Sequence, residues 1–120
     1  MAYPLDPGGL HDYPMKVGSM LLTMVDPNPG FESAYNRWYE RDHFYAGCMV
    51  APHQMSGSRW VATRSLKDLR WPEGDTAVAN PTDSGSYVAI YWIEGGHHDD
   101  WNNWSTERVT WLYTNTRGFP

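Results

Sequence analysis

The sequence has almost no cysteine: Cys48 stands alone in 120 residues. An internal disulfide and a paired-cysteine zinc site are therefore excluded, which fits a reducing compartment. Cations are also scarce, with 9 Lys and Arg against 14 Asp and Glu, a formal charge of −5 and a sequence pI near 5.4. Phosphate backbones are held by clustered Lys and Arg, so nucleic acid is set aside as a partner. No apolar run is long enough to span a bilayer, and Met1 to Lys16 lacks the apolar segment of a signal peptide. The expectation is a soluble, cytoplasmic protein without a membrane partner. A glycine-rich phosphate loop, a nucleophile elbow and a dinucleotide fingerprint are missing too, which disfavours ATP, serine-hydrolase and NAD chemistry.

Aromatics are abundant, with 7 Trp and 8 Tyr. In a chain of one-domain length, that surplus either fills an interface or lines an apolar pocket with polar tips. Residues 1–17, broken by Pro4, Pro7, Gly8, Gly9 and Pro14, read as an arm preceding a domain over 18–120. Gly18 to Val25 reads as a first strand, apolar at nearly every position and so buried on both faces. A turn with Pro27 and Pro29 follows, and Asn28 or Gly30 is placed to cap a helix from about Phe31 to His43. Ser58 to Arg64 alternates as a second strand, and Ser65 to Ser84 is a long polar loop with a helical turn near Leu66 to Leu69. Gly85 to Ile93 is the strongest strand, with Tyr87, Ala89, Tyr91 and Ile93 on one face and Val88, Ile90 and Trp92 on the other. A second helix spans about Asp100 to Thr116, capped by Asp99 or Asp100.

The order strand, helix, strand, strand, helix is an α+β arrangement, ferredoxin-like but for a final strand, with an antiparallel sheet and two helices on one face. The second apolar face of such a sheet needs cover. A second copy of the chain supplies it in a homodimer closed around a shared core.

Chemistry concentrates in Tyr35 to Phe44. Phe31, Tyr35, Trp38 and Tyr39 recur at steps of three and four and share one side of a helix, and Asp42 and His43 fall in its last turn. There the helix dipole and the adjacent carboxylate favour a charged imidazole, whereas burial opposes it. His43 is a candidate acid/base group near neutral pH; a plain C-terminal helix stabiliser fits the same position.

Asn36-Arg37-Trp38-Tyr39-Glu40-Arg41-Asp42-His43 resembles the helix motif of EthD-like proteins in the dimeric α+β barrel superfamily. Ser58 to Ala62 and Tyr87 to Glu94 resemble that family's second and third strands. The resemblance covers most of Ser19 to Arg117, and its specific part is the helix motif. It implies a homodimer with facing sheets and a cleft between sheet and helices in each monomer. Relatives include cofactor-free polyketide cyclases, small oxygenases, muconolactone-type isomerases and haem-degrading enzymes, so the fold does not select the reaction. The family's final strand is missing from the 120 residues, which leaves either a fragment or a sheet closed differently. Carried over from the motif, His43 is the expected general base or acid, with Asp42 setting its charge and Tyr39 and Trp38 lining the cleft.

Around this centre, Tyr35 shares the helix face, and Tyr87 and Tyr91 either donate phenolic hydrogen bonds to a substrate oxygen or fill the core. His53, beside Pro52, either enters the cleft or sits on the surface. His97-His98-Asp99-Asp100 invites a metal reading, but neighbouring residues point apart, and helix capping with solvated histidines is the simpler use. No metal is expected. Cys48, with no cation beside it in sequence, reads as an idle or buried thiol. The expected activity is cyclisation, isomerisation or cofactor-free oxidation of an aromatic or polyketide-like molecule, with no tightly bound cofactor. The alternatives are a non-catalytic binder of hydrophobic small molecules and a haem-binding or haem-degrading protein, the last resting on His97, His98 and Trp104.

Overall fold

A computed structural model describes residues 15–74, 76 and 78–120. Most of the arm read over 1–17 lies outside the described residues. The elements run β1 (Val17–Val25), α1 (Glu32–Trp38), a π-helical segment (Tyr39–Met49), β2 (Gln54–Val61), α2 (Arg64–Lys67), β3 (Tyr87–Glu94) and α3 (His98–Thr114). The chain is thus α+β, with an antiparallel three-stranded sheet in the order β1-β3-β2. Because β1 and β2 both run antiparallel to β3, they are parallel to each other, and the helical connection between them makes a split β-α-β unit. This is broadly compatible with a ferredoxin-like fold.

Cross-strand partners share a face, so the register sorts the sheet into two sides. Ala89 faces Thr23 and Arg59, and Tyr87 faces Val25 and Val61. On this side Ala89 and Tyr91 are buried in a cluster with Tyr35, Tyr39 and Cys48, while Ile93 is buried with Ala51 and Trp101. Both long helical elements therefore cover one face. The opposite face carries Met20, Leu22, Trp60 and Trp92, exposed by 45%, 38%, 51% and 39%. Burial on both faces, expected from the apolar runs, is found only on the helix side of β3: no residue of β1 is buried, and Leu21 and Val61 on the helix side are exposed by 37% and 57%.

Boundaries differ from those read in the sequence. β2 begins at Gln54, because pairing with β3 recruits Gln54 to Gly57 despite their weak strand preference. Gly57 tolerates this only without a side chain: an added Cβ would sit 2.7 Å from the Tyr91 ring and from the Met49 sulfur. The first helix starts without a side-chain cap; the Glu32 carboxylate instead accepts from the Gly30 N–H at 3.0 Å. α3 begins two residues earlier than read, with His97 in the cap position and Asp99 and Asp100 inside the first turn, where the dipole favours them.

The largest departure is the stretch after Trp38. The helix does not end at His43 but continues, wound as a π-helix, to Met49. In an α-helix, residues five apart are separated by about 140° around the axis. π winding, with its i to i+5 hydrogen bonds, brings them over one another.

Candidate functional site

A cavity of about 290 Å³ opens between the Val25 end of β1, the first helix with its π extension, and the segment around the end of α3. Its walls are Thr23, Val25, Tyr35, Trp38, Tyr39, His43, Tyr113 and Phe119. Thr23 and Val25 come from the helix-covered side of β1, as their partners Ala89 and Tyr87 require. Four residues that the sequence singled out, Tyr35, Trp38, Tyr39 and His43, meet here.

The π winding sets the position of His43. Its ring stacks on Trp38, five residues earlier, at a centroid distance of 4.4 Å and 17° between planes. It also meets the Tyr39 ring edge-on at 5.0 Å. Beneath it, Gly47 leaves the space that the ring occupies: a Cβ there would stand 2.7 Å from His43 Nδ1 and 3.1 Å from Leu112. His43 Nδ1 is buried and has no hydrogen-bond partner among the described residues. Nε2 is not among the buried, unpartnered atoms of the described residues, and the ring lines the cavity.

Electrostatics follow from that burial. Desolvation is the largest influence on His43 and lowers its pKa; the Arg59 charge pushes the same way and the Asp42 charge opposes both, for a net value below the usual 6.5. The imidazole is therefore neutral at pH 7. The helix-end contribution expected in the sequence does not act, since His43 lies mid-helix. Nδ1 has no partner in either tautomer, and of the two orphans a buried N–H is the rarer, so the proton belongs on Nε2. The resting imidazole thus offers a donor to whatever enters the cavity.

Asp42 is engaged elsewhere. Its carboxylate accepts from Arg117 Nε at 3.1 Å and from Arg117 Nη2. The Arg117 hydrogen bond is the main reason that the Asp42 carboxyl titrates below the ordinary range. Trp38 Nε1 donates to the Arg117 carbonyl at 2.8 Å, and the Phe119 ring packs against Tyr35 and Trp38 at 5.5 and 5.4 Å. Residues 117–119 are strapped across the first helix and complete the cavity wall, a contribution that the sequence reading did not identify.

Tyr39 turns its ring to the cavity and its hydroxyl to the core, where it meets the Tyr91 hydroxyl at 2.5 Å. Burial dominates at Tyr39, Tyr91 and Cys48 and raises all three pKa values, so these groups stay neutral. The Arg59 guanidinium lies 3.9 Å above the Tyr39 ring and donates to Asn36 Oδ1 at 2.9 Å. A half-buried cation is supported when its donors and its flat face are both used, and Arg59 uses both. No inspection of residues 58–64 alone indicates this role, because it depends on the register with Ala89.

The remaining sequence candidates lie away from the cavity. Tyr91 is 1% exposed and belongs to the core. Tyr87 packs against Tyr35 at 5.8 Å without lining the cavity. Trp104 packs on the cluster of Ala51, Ile93 and Trp101. His53 stands beside Glu94 and His97 at the opposite end of β3. A larger cavity of about 360 Å³ surrounds α2, but Arg64 there is neutralised by Asp68 and Asp83, and Arg70 is spent on the carbonyls of Thr82, Ser84 and Gly85. No helix among the described residues is long and apolar enough to cross a membrane. Comparisons with family models, curated proteins and solved structures return no match.

Proposed function

We propose that the chain is a cytoplasmic enzyme that binds an aromatic or polyketide-like small molecule in the cavity beside His43 and moves a proton on it without a tightly bound organic cofactor. The carrying observation is an imidazole stacked on Trp38, with Nδ1 buried and unpartnered, in the wall of an aromatic-lined cavity. In this reading Nε2, with the ring proton on Nδ1, takes the proton of a C–H next to a substrate carbonyl, and the imidazolium Nε2–H so formed pairs with the negative oxygen of the enolate. The pair of electrons left on carbon then adds to a second carbonyl of the substrate, whose oxygen takes the proton from Nε2, in a cyclisation, or takes that proton back at another carbon in an isomerisation. Tyr35, Trp38 and Phe119 hold the flat substrate face-on or edge-on. Use of Nε2 as the base requires the proton to shift to Nδ1, where it has no acceptor among the described residues.

The same reading makes the protein an EthD-like homodimer. Support comes from the Trp38 to His43 motif at the cavity and from the apolar open face with Met20, Leu22, Trp60 and Trp92. The test is a native mass spectrum of the purified protein, repeated after denaturation, followed by turnover of the released compound by wild type and His43→Ala. A dimer that carries a small organic mass, converted by wild type and not by the variant, is expected. A bare monomer removes the dimer, and unchanged turnover by His43→Ala removes the catalytic role. Binding without conversion by either protein identifies a non-catalytic small-molecule binder instead.

A further inference from the structure

We infer that His53, His97 and Asp100 form a binding site for a divalent transition-metal ion of the zinc type. The three residues come from the turn before β2, the N-cap of α3 and its first turn, and their ligand atoms all lie within 4.8 Å of one another. The imidazoles of His53 and His97 lie parallel, with centroids 3.6 Å apart and 3° between planes. His97 Nδ1 and Asp100 Oδ2 are 3.1 Å apart. Two ligands of one tetrahedral zinc, each about 2.0–2.1 Å from the ion, stand roughly 3.3 Å apart, so His97 and Asp100 are already at ligand spacing and His53 has to close onto them from within 4.8 Å. Parallel rings cannot both hold one ion in their planes, so binding unstacks them by a turn of one imidazole about χ2, a soft torsion.

The surroundings prepare the site. His53 holds φ +60, an uncommon conformation for a residue with a side chain, and its carbonyl accepts from the Glu94 N–H at 2.8 Å. The Glu94 carboxylate stands 3.1 Å from His53 Nδ1. A carboxylate at one ring nitrogen fixes the tautomer that presents the other to a metal and raises its basicity. Two imidazoles and one carboxylate suit zinc, cobalt, nickel or copper rather than magnesium or calcium, which take all-oxygen ligand sets. Three protein ligands leave a fourth position for water or an exogenous ligand. The site lies at the Glu94 end of β3, whereas the cavity lies beside Tyr87 and Ala89, roughly 17–23 Å along the strand at the usual rise per residue. The ion is therefore not a participant in proton transfer at His43.

The site is tested by titrating the full chain with Zn2+ calorimetrically and with Co2+ by visible absorption, for wild type, His53→Ala, His97→Ala, Glu94→Gln and His98→Ala. One ion per chain is expected, with an intense tetrahedral Co2+ spectrum. Loss of either His53 or His97 should weaken binding at least tenfold, and Glu94→Gln should weaken it by roughly 10- to 100-fold. His98, whose Nδ1 pairs with Ser19 Oγ at 2.9 Å, serves as the neighbouring control and should leave affinity unchanged. The site is overturned if wild type binds no ion, if binding survives in the His53 and His97 variants, or if His98→Ala weakens binding as much as they do. All the substituted side chains are at least partly exposed, so circular dichroism should show each variant folded.

Discussion

Replacement of His43 by Phe should stabilise the protein while abolishing any activity of the cavity. Wild type buries Nδ1 without a partner, a defect of about 1–3 kcal/mol that an apolar ring removes. Phe keeps a flat ring on Trp38, so the stacking contribution is retained. The six-membered ring is larger and Gly47 lies close beneath it, which returns up to about 1 kcal/mol as crowding. The net gain at pH 7.5 is then about 1 kcal/mol, or roughly 3–5 °C in Tm for a domain of this size.

The gain should also depend on pH. The folded pKa of His43 lies below its unfolded value, so acid favours the unfolded wild-type chain, which takes up the proton more readily. The stability that wild type owes to a neutral His43 is present above about pH 6.5 and is lost as pH falls toward the lowered folded value. Between pH 7.5 and 5.5 the advantage of the variant should widen by at most about 1.4 kcal/mol, and by less to the extent that solvent and the Asp42 charge ease protonation. Urea unfolding followed by tryptophan fluorescence at both pH values measures the two gaps, and the other histidines cancel in the difference. A variant less stable than wild type at pH 7.5, or a gap that does not change with pH, would refute the reasoning.

Three further outcomes follow from the same contacts. Gly47→Ala should destabilise by about 1–3 kcal/mol and lower ligand affinity, because its Cβ meets His43 and Leu112; unaltered unfolding would show that the ring has room to move. Asp26→Ala removes the acceptor of the Gly85 and Ser86 N–H groups and of the Ser86 hydroxyl, with an expected loss of about 1–2 kcal/mol after allowance for its exposure. Burial alone would raise the Asp26 carboxyl, but the hydrogen bonds from Ser86 and Gly85 together with Lys67 outweigh it, so the contribution is held above the ordinary carboxyl range and fades as pH falls through the lowered value. Cys48, buried and with its thiol pKa raised by desolvation, should react with a disulfide reagent only as fast as the protein opens; instant reaction of native protein would place the thiol at the surface.

The order of strands and helices was legible because each carries a period the fold uses, clearest in Tyr87, Ala89, Tyr91 and Ile93. The aromatic side of the first helix was legible for the same reason, since Tyr35 and Tyr39 are buried. The start of β2 was not, because Gln54 to Gly57 owe their conformation to β3 rather than to their own preferences. Nor was the strap at residues 117–119, whose use depends on Asp42 and Trp38. Among the histidines, His97 and His98 point apart as read, and the neighbour of His97 is His53, which only the turn before β2 brings to it.

The π winding after Trp38 makes pitch, rather than composition, the variable that assigns His43 to the cavity. Wound as an ordinary α-helix, the same side chains would carry the imidazole about 140° away from Trp38 around the axis. A single residue gained or lost between Trp38 and His43 would therefore act like a click of a dial, moving the imidazole round the helix with every chemical group intact. Proteins that share these residues but not this pitch would carry the same letters and a different site.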